Sequence, residues 1–167
     1  MIWLVYILGG LAGLVGVIAL IGALLPRDHT ASRSASYARS PDEVWRAVTD
    51  LAAQPTWRSG VTKIEQLSAT SFREHGKHGT IAYVVEEDRA PSPGVAGRRV
   101  TRIADDKLPY GGRWIFELAA EGAGSRLTIT EAGFIKNPIF RFMSKTVFST
   151  ASTLERFLAD LATHLAR

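Results

Sequence analysis

The sequence predicts an α+β protein in which a seven-stranded antiparallel sheet wraps around a long C-terminal helix, preceded by one transmembrane helix. Three patterns carry this prediction. An uncharged apolar run opens the chain. Short segments of alternating polar and apolar residues, separated by turn residues, then continue to about residue 136. From there to the end, apolar residues recur every three or four positions, as they do on one face of a helix.

The apolar run extends from Ile2 to Leu25 and is long enough to cross a bilayer. Its 24 residues would form a helix of about 36 Å, and the hydrocarbon core is about 30 Å thick. A cleaved signal peptide carries basic residues before its apolar segment, and none precede this one. We therefore expect a retained anchor over residues 1–25, a linker over residues 26–31 and a ligand-binding domain over residues 32–167.

Basic side chains lie on one side only of the predicted anchor. Arg27, Arg33 and Arg39 follow it, and only the α-amino group precedes it. The positive-inside rule then predicts a single-pass protein of the cell membrane, with its C-terminal domain in the cytoplasm. Gly9 and Gly13 form a GxxxG pair of the kind that lets two membrane helices associate as a homo-oligomer. Glycine is also common in membrane helices generally, so both interpretations of the pair stand.

The composition excludes several kinds of site. Because the chain has no cysteine, it forms no disulfide, zinc–thiolate site or thiolate nucleophile. No phosphate-binding loop, dinucleotide fingerprint or G-x-S-x-G nucleophile motif is present. The net charge of +4 suits a surface of anionic lipid headgroups and is also ordinary for a soluble domain. Arg98, Arg99 and Arg102 indicate a solvated face, so we expect no nucleic-acid partner.

The first elements of the domain are a strand and a capped helix. Residues 32–40 alternate and predict the first strand. Ser40 is placed to cap the next helix, with Pro41 at its first position and Glu43 three residues after the cap, which is a capping box. Pro55 ends a second, shorter helical segment.

Six further strands are predicted between Val61 and Lys136. The strongest turn signals between them are the segment from Gly76 to Gly79, the sequence PSPG at 91–94 and the sequence GAG at 122–124. Because short turns join successive strands, we expect an antiparallel meander.

The last segment is predicted as one helix of about 45 Å that starts at Asn137 and Pro138. Its apolar stripe must be covered, and the concave face of the sheet is the only large partner for it. The stripe consists of Phe140, Met143, Val147, Ala151, Leu154, Leu158, Leu161 and Leu165.

Several motifs together resemble the START/Bet v 1-like superfamily (SRPBCC), in its bacterial polyketide cyclase/dehydrase and lipid-transport branch. They occur in the family's order over nearly all of residues 32–166. The resemblance implies a helix-grip domain with a cavity between sheet and helix that takes apolar or amphipathic ligands. The superfamily includes carriers, cyclases and regulators, so the fold leaves the function open. The motifs are SPDEVW at 40–45, Asp50, Trp57, Gly79, GGRWIFEL at 111–118, LTITE at 127–131 and NPIFRF at 137–142.

Alternation along the last two strands predicts the cavity wall. Trp114 and Phe116 share one face of the sixth strand, and Ile129 and Glu131 share one face of the seventh. An inward carboxylate needs a partner, which we expect to be Arg102, Arg113 or a ligand hydroxyl. The alternative is that Glu131 reaches solvent or ties down the final helix near the end of its strand. The predicted ligand-binding residues are Trp57, Tyr83, Arg102, Trp114, Phe116, Ile129, Glu131, Phe140, Met143 and Val147.

A metal site is not expected. Glu74, His75 and His78 are close in sequence, but the two histidines are three residues apart and would point to opposite faces of a continuous strand. We expect no cofactor and assign no catalytic residue.

The leading functional hypothesis is non-enzymatic binding or transport of a lipid, an isoprenoid or a quinone-like molecule by a membrane-anchored domain. Anchoring would raise the effective concentration of the domain near a membrane-dissolved ligand. The second hypothesis is a cyclase/dehydrase-like enzyme that uses the same cavity, with Glu131 as an acid–base group. The third is an interaction module that the anchor helix holds in an oligomer.

Overall fold

The computed structural model describes residues 2–77, 79–146 and 150–167. An apolar helix, α1 (Ile2–Leu24), comes first, and α2 (Pro41–Thr49) lies between the first two strands. Two helices, α3 (Pro138–Thr146) and α4 (Thr150–Leu165), follow the last strand. The strands are β1 (Asp28–Tyr37), β2 (Val61–Gln66), β3 (Ser71–Gly76), β4 (Gly79–Arg89), β5 (Gly97–Ile103), β6 (Tyr110–Glu121) and β7 (Gly124–Ile135).

The strands form a single antiparallel sheet in the order β1-β7-β6-β5-β4-β3-β2. β2 to β7 are therefore the predicted meander, and β1 closes the sheet by pairing with the last strand. Together with the C-terminal helix and the N-terminal apolar helix, this sheet confirms the predicted fold class.

The register places the predicted apolar residues on one face, called here the inner face. Trp114 lies opposite Glu131, and Phe116 lies opposite Ile129. α4 packs on this face against β1 and β7. The fully buried core residues at their junction are Leu118, Leu127, Ile129, Leu154 and Leu161.

The capping box that opens α2 is present. The Glu43 backbone N–H donates to Ser40 Oγ at 3.4 Å, and the Ser40 backbone N–H donates to Glu43 Oε2 at 3.0 Å. The helix turns Val44, Trp45 and Val48 into the core. The second helical segment is a short 3-10 turn, Gln54–Thr56.

One predicted boundary differs in the structure. β1 begins at Asp28, so residues 28–31 are strand and not linker, and only residues 25–27 separate α1 from the sheet. The predicted C-terminal helix is described in two segments, α3 and α4, and residues 147–149 between them lie outside the described residues. α3 packs mainly against α1, whereas α4 packs against the sheet. Val147, a predicted ligand-binding residue, lies outside the described residues.

The domain has two distinct ends. β1 starts, β7 finishes and β6 starts at the end nearest α1, where Asp28 pairs with Phe134 and Tyr110 pairs with Ile135. We call this the α1 end. α4 finishes at the opposite end, where Arg39 Nε donates to the Leu165 carbonyl at 3.0 Å.

Candidate ligand-binding cavity

A cavity of about 170 Å³ lies at the α1 end of the sheet. Its lining comes from β1, β5, β6 and β7 and includes His29, Tyr110, Trp114 and Glu131. Pockets that enclose a drug-sized ligand are typically about 300–1,000 Å³. This cavity alone therefore fits the head of a ligand rather than a whole ligand.

The polar centre of this cavity is the pair formed by His29 and Glu131. His29 Nε2 lies 3.4 Å from Glu131 Oε1, and the two side chains are 23% and 22% exposed. They meet because β1 and β7 are paired, with His29 opposite Gly133 and Ala31 opposite Glu131. A Cβ at Gly133 would lie 2.7 Å from the His29 ring, so the absence of a side chain there gives the ring its place.

Burial controls the charge of this site. It raises the pKa of Glu131, because desolvation disfavours the carboxylate, while interactions with His29 and Trp114 lower it in part. A carboxyl group accepts hydrogen bonds in both charge states and also donates one when it is protonated. The site can thus bind a hydroxyl, carbonyl or amine group of a ligand.

Neither Arg102 nor Arg113 is the partner of Glu131, and a ligand hydroxyl stays a prediction. Arg102 and Arg113 both bind Glu86, with Nε to Oε distances of 2.7 Å and 2.6 Å. Thr101 pairs with Trp114 and therefore lies on the inner face. Arg102 is the next residue of β5, so its side chain points to the outer face. A β-bulge between Val85 and Glu87 brings Glu86 to that face as well. Arg102, a predicted ligand-binding residue, therefore points away from the cavity.

His29 was not among the predicted site residues, because residues 26–31 were predicted to be a linker. Ala31, Ala35 and Tyr37 recur at even spacing in the sequence, and in the structure these three residues and His29 are the buried or half-buried positions of β1. Extending this alternation two residues back from Ala31 places His29 on the inner face.

A second polar group lies on the inner face beneath the 3-10 turn. Arg58 Nη1 donates to Glu74 Oε2 and to Gln54 Oε1, each at 2.7 Å. The Arg58 guanidinium also lies 5.1 Å from the centre of the Phe157 ring. These contacts compensate the burial of the arginine, and the sequence analysis did not single out this group.

Tyr83, one of the predicted residues, is half-buried on the inner face and stacks on Phe72 with ring centres 5.2 Å apart. Burial raises the pKa of Tyr83, and the Glu74 carboxylate adds to the rise. Its hydroxyl therefore stays protonated and can donate a hydrogen bond inside the domain.

The aromatic residues of the predicted site form a cluster around Phe157 of α4. Its ring centre lies 5.4 Å from Trp57, 6.0 Å from Trp114 and 5.6 Å from Phe116. Trp57 also stacks on His164 at 5.5 Å, and its buried indole N–H has no hydrogen-bond partner among the residues that the structure describes. Trp57 and Phe116 are buried in the core, and Trp114 alone of this cluster lines the cavity.

Three other predicted residues lie away from that cavity. Ile129 is fully buried in the core behind it. Phe140 and Met143 belong to α3, where Phe140 is 53% exposed and Met143 is half-buried. His75 contacts Glu65 and Thr80 on the outer face, and His78 lies outside the described residues.

A larger cavity, of about 340 Å³, lies at the opposite end of the domain between the segment after α2 and the β2–β3 turn. Arg99 and Asp88 line it and form an ion pair. Burial lowers the pKa of Arg99, and the Asp88 carboxylate opposes this. No group of three potential metal-ligating side chains is present within residues 2–77, 79–146 and 150–167.

Comparison with known proteins agrees with this geometry. The family model for polyketide cyclase / dehydrase and lipid transport matches residues 28–166. The chain belongs to this family. The match starts at the first residue of β1, so α1 lies outside the family's shared domain.

Solved structures of the family's fold resemble the chain at low sequence identity. A START superfamily protein from Mycobacterium smegmatis is 16% identical with a TM-score of 0.64, covering 83% of this chain and 97% of that one. A Mesorhizobium loti protein is 18% identical with a TM-score of 0.60, covering 83% and 98%. Norcoclaurine synthase from Thalictrum flavum is 10% identical with a TM-score of 0.63, covering 84% and 87%. No curated protein matches the chain.

Proposed function

We propose that the protein binds or carries an apolar or amphipathic small molecule, such as a lipid, an isoprenoid or a quinone, at the cytoplasmic surface of the membrane. The observation that carries this proposal is the position of the cavity. The His29–Glu131 pair lies at the end of the sheet that joins α1, and His29 is separated from α1 by only four residues.

The exposure of α1 supports its role as a membrane anchor. Every side chain from Ile2 to Val17 is exposed, and none of this stretch is charged. An exposed apolar surface of this length is unfavourable in water, and a lipid phase would cover it. The 23 residues of α1 match the roughly 20 residues that cross a hydrocarbon core.

The chemistry of the cavity supports an amphipathic ligand. Trp114, Ile103 and Phe134 supply apolar lining, whereas Glu131 and His29 supply one polar centre. An apolar wall with few polar groups is typical of sites that orient a ligand by its head. The head would bind Glu131 and His29, and the apolar tail would extend toward the bilayer.

Mass spectrometry of small molecules co-purified with the full-length protein tests this proposal. We expect a stoichiometric apolar or amphipathic ligand on the wild type and about five- to a hundredfold less on Glu131→Ala, because leaving a buried polar group of the ligand without its partner costs about 1–3 kcal/mol. Glu117→Ala removes a half-exposed carboxylate from the outer face and should leave the ligand in place. A wild type with no bound molecule, or equal loss in both variants, would contradict the proposal.

The second candidate is an enzyme of the cyclase/dehydrase type in the same cavity. One observation favours it: the half-buried Glu131 carboxyl group lies 3.4 Å from His29 Nε2, and burial raises the pKa of Glu131, so the cavity holds two side chains that can exchange protons with a ligand. The norcoclaurine synthase match, at 10% identity, shows the fold alone. This candidate requires the ligand recovered from the wild type to be converted on incubation and to remain unconverted with Glu131→Gln.

A further inference from the structure

α3 is held against the anchor helix rather than against the sheet. Gly22, in the last turn of α1, is buried, and a Cβ built there would overlap the carbonyl oxygen of Pro138. Ile18 and Ala19, one turn earlier, are partly covered. The absence of a side chain at Gly22 therefore permits the close approach of α3.

A hydrogen bond closes the same junction. Arg141 Nη1 donates to the Leu25 carbonyl at 2.8 Å, and Arg141 itself is only 9% exposed. The last carbonyls of a helix lack partners within that helix. Arg141 supplies one here, so the end of α1 and the middle of α3 are linked by both packing and hydrogen bonding.

The contact fixes the depth of α3 if α1 spans the bilayer. Gly22 lies two residues before the end of α1, which corresponds to about 3 Å along the helix axis. Pro138 packs against it, so α3 begins close to the boundary between the acyl chains and the headgroups. Amphipathic interfacial helices bind at this depth.

The free side of α3 has the chemistry of such a helix. Ile139 is 38% exposed and Phe140 is 53% exposed, although both are large apolar residues. Lys136 precedes the helix, Lys145 lies in its last turn, and the sequence of α3 contains no acidic residue. Exposed apolar side chains flanked by lysines suit a surface of anionic lipids.

We propose that α3 lies in the headgroup region of the bilayer with Ile139 and Phe140 inserted among the acyl chains. This inference rests on the proposed anchoring by α1. In this position α3 would hold the cavity next to the bilayer, because only residues 136–137 separate α3 from Ile135, which lines the cavity. A ligand head at Glu131 would thus be held beside the lipid phase by two membrane-bound elements.

Fluorescent labels on single cysteines test the depth of α3, since the natural chain has none to remove. Full-length Leu11→Cys, Phe140→Cys and Leu67→Cys are labelled with bimane in nanodiscs of equal phosphatidylcholine and phosphatidylglycerol. Leu67, in the β2–β3 turn, is the control because it is 50% exposed at the far end of the domain. We expect brominated lipids to quench the labels at 11 and 140, and aqueous iodide to quench the label at 67.

The outcomes separate this inference from the proposed anchor. Quenching at 140 by iodide, as at 67, with lipid quenching retained at 11, would overturn the membrane position of α3 and leave the anchor in place. Iodide quenching at 11 would overturn both.

A second pair of variants tests the α1–α3 contact itself. Gly22→Leu would clash with Pro138, whereas a Cβ at Gly10 has nothing within 4 Å. We expect Gly22→Leu to shift the label at 140 from lipid quenching toward iodide quenching and Gly10→Leu to leave it unchanged. An unchanged label in Gly22→Leu would show that the contact does not set the depth of α3.

Discussion

At the scale of single residues, the electrostatics of the cavity depend on Glu131 and its contact with His29. The carboxyl group is carried inward by the alternation of β7, and its partner comes from a strand 102 residues away in sequence. Burial favours the neutral carboxyl group, so protonation of this residue is linked to folding.

The sign of this linkage can be measured. The pKa of Glu131 in the folded state is raised above the ordinary value of 4.5. The protonated side chain therefore adds to the free energy of unfolding below about pH 4.5. This stabilisation is lost as the pH rises through the raised pKa, where the buried group becomes charged. Glu131→Gln keeps a neutral side chain at every pH. We expect the melting temperature of Glu131→Gln relative to the wild type to increase between about pH 4 and pH 7. A constant or falling difference would mean that the carboxylate is stabilised in the fold.

Gly133 should be intolerant of even a small side chain. Gly133→Ala places a Cβ 2.7 Å from the His29 ring and forces the ring away from Glu131. Overpacking of this kind costs about 1–3 kcal/mol, which chemical denaturation can resolve. Gly60→Ala is the control, since a Cβ there has nothing within 4 Å. Equal stability of the two variants would argue against a tightly held His29.

The sequence predicted which residues of β6 and β7 lie on the inner face, but it did not predict that His29 is the partner of Glu131. The placement of Trp114 opposite Glu131 followed from alternation alone, because a period of two fixes the face of each residue. The bulge that turns Glu86 outward has no comparable local signal, and it decides where Arg102 and Arg113 find their partner. His29 required knowledge that β1 begins at Asp28 and pairs with β7, a long-range contact.

At the scale of elements, the apolar residues of α3 and those of α4 belong to one periodic pattern but pack against different partners. The periodic pattern from Phe140 to Leu165 indicates a buried face but not what buries it. α4 uses its part of the stripe to cover the inner face of the sheet, whereas α3 packs on α1. The sequence therefore predicted the helical structure of both segments, but it did not predict that α3 packs on α1.

The packing of α4 predicts a large loss of stability from truncating its core residues. Leu161 is fully buried between α4 and the sheet. Leu161→Ala should lower the free energy of unfolding by about 2–5 kcal/mol in a denaturation experiment. Thr153→Ala, at an exposed position of the same helix, should change it by less than about 0.5 kcal/mol. Equally small losses of unfolding free energy in the two variants would mean that α4 does not pack on the hydrophobic core.

At the scale of the whole molecule, the cavity, the end of α1 and the exposed part of α3 lie on one side of the domain. The turns at the far end, including Val95 at 46% exposure, would then project away from the bilayer. The basic residues after α1 predict that this projection is into the cytoplasm.

Labelling of whole cells tests that orientation. If the domain lies in the cytoplasm as proposed, Val95→Cys should react with a membrane-impermeant maleimide only after the cells are permeabilised. Leu11→Cys, within α1, is the control that should react in neither condition. Labelling of Val95→Cys in intact cells would place the domain outside and reverse the topology.

The most direct test of the account is photocrosslinking from two adjacent positions of β6 in the full-length protein. A photoreactive phenylalanine analogue replaces either Trp114, which lines the cavity, or Ile115, which points to the outer face. We expect irradiation in the native membrane to attach a discrete small molecule at position 114 and none at position 115. The absence of an adduct at position 114, or the same adduct at both positions, would contradict a ligand-binding cavity beside the membrane.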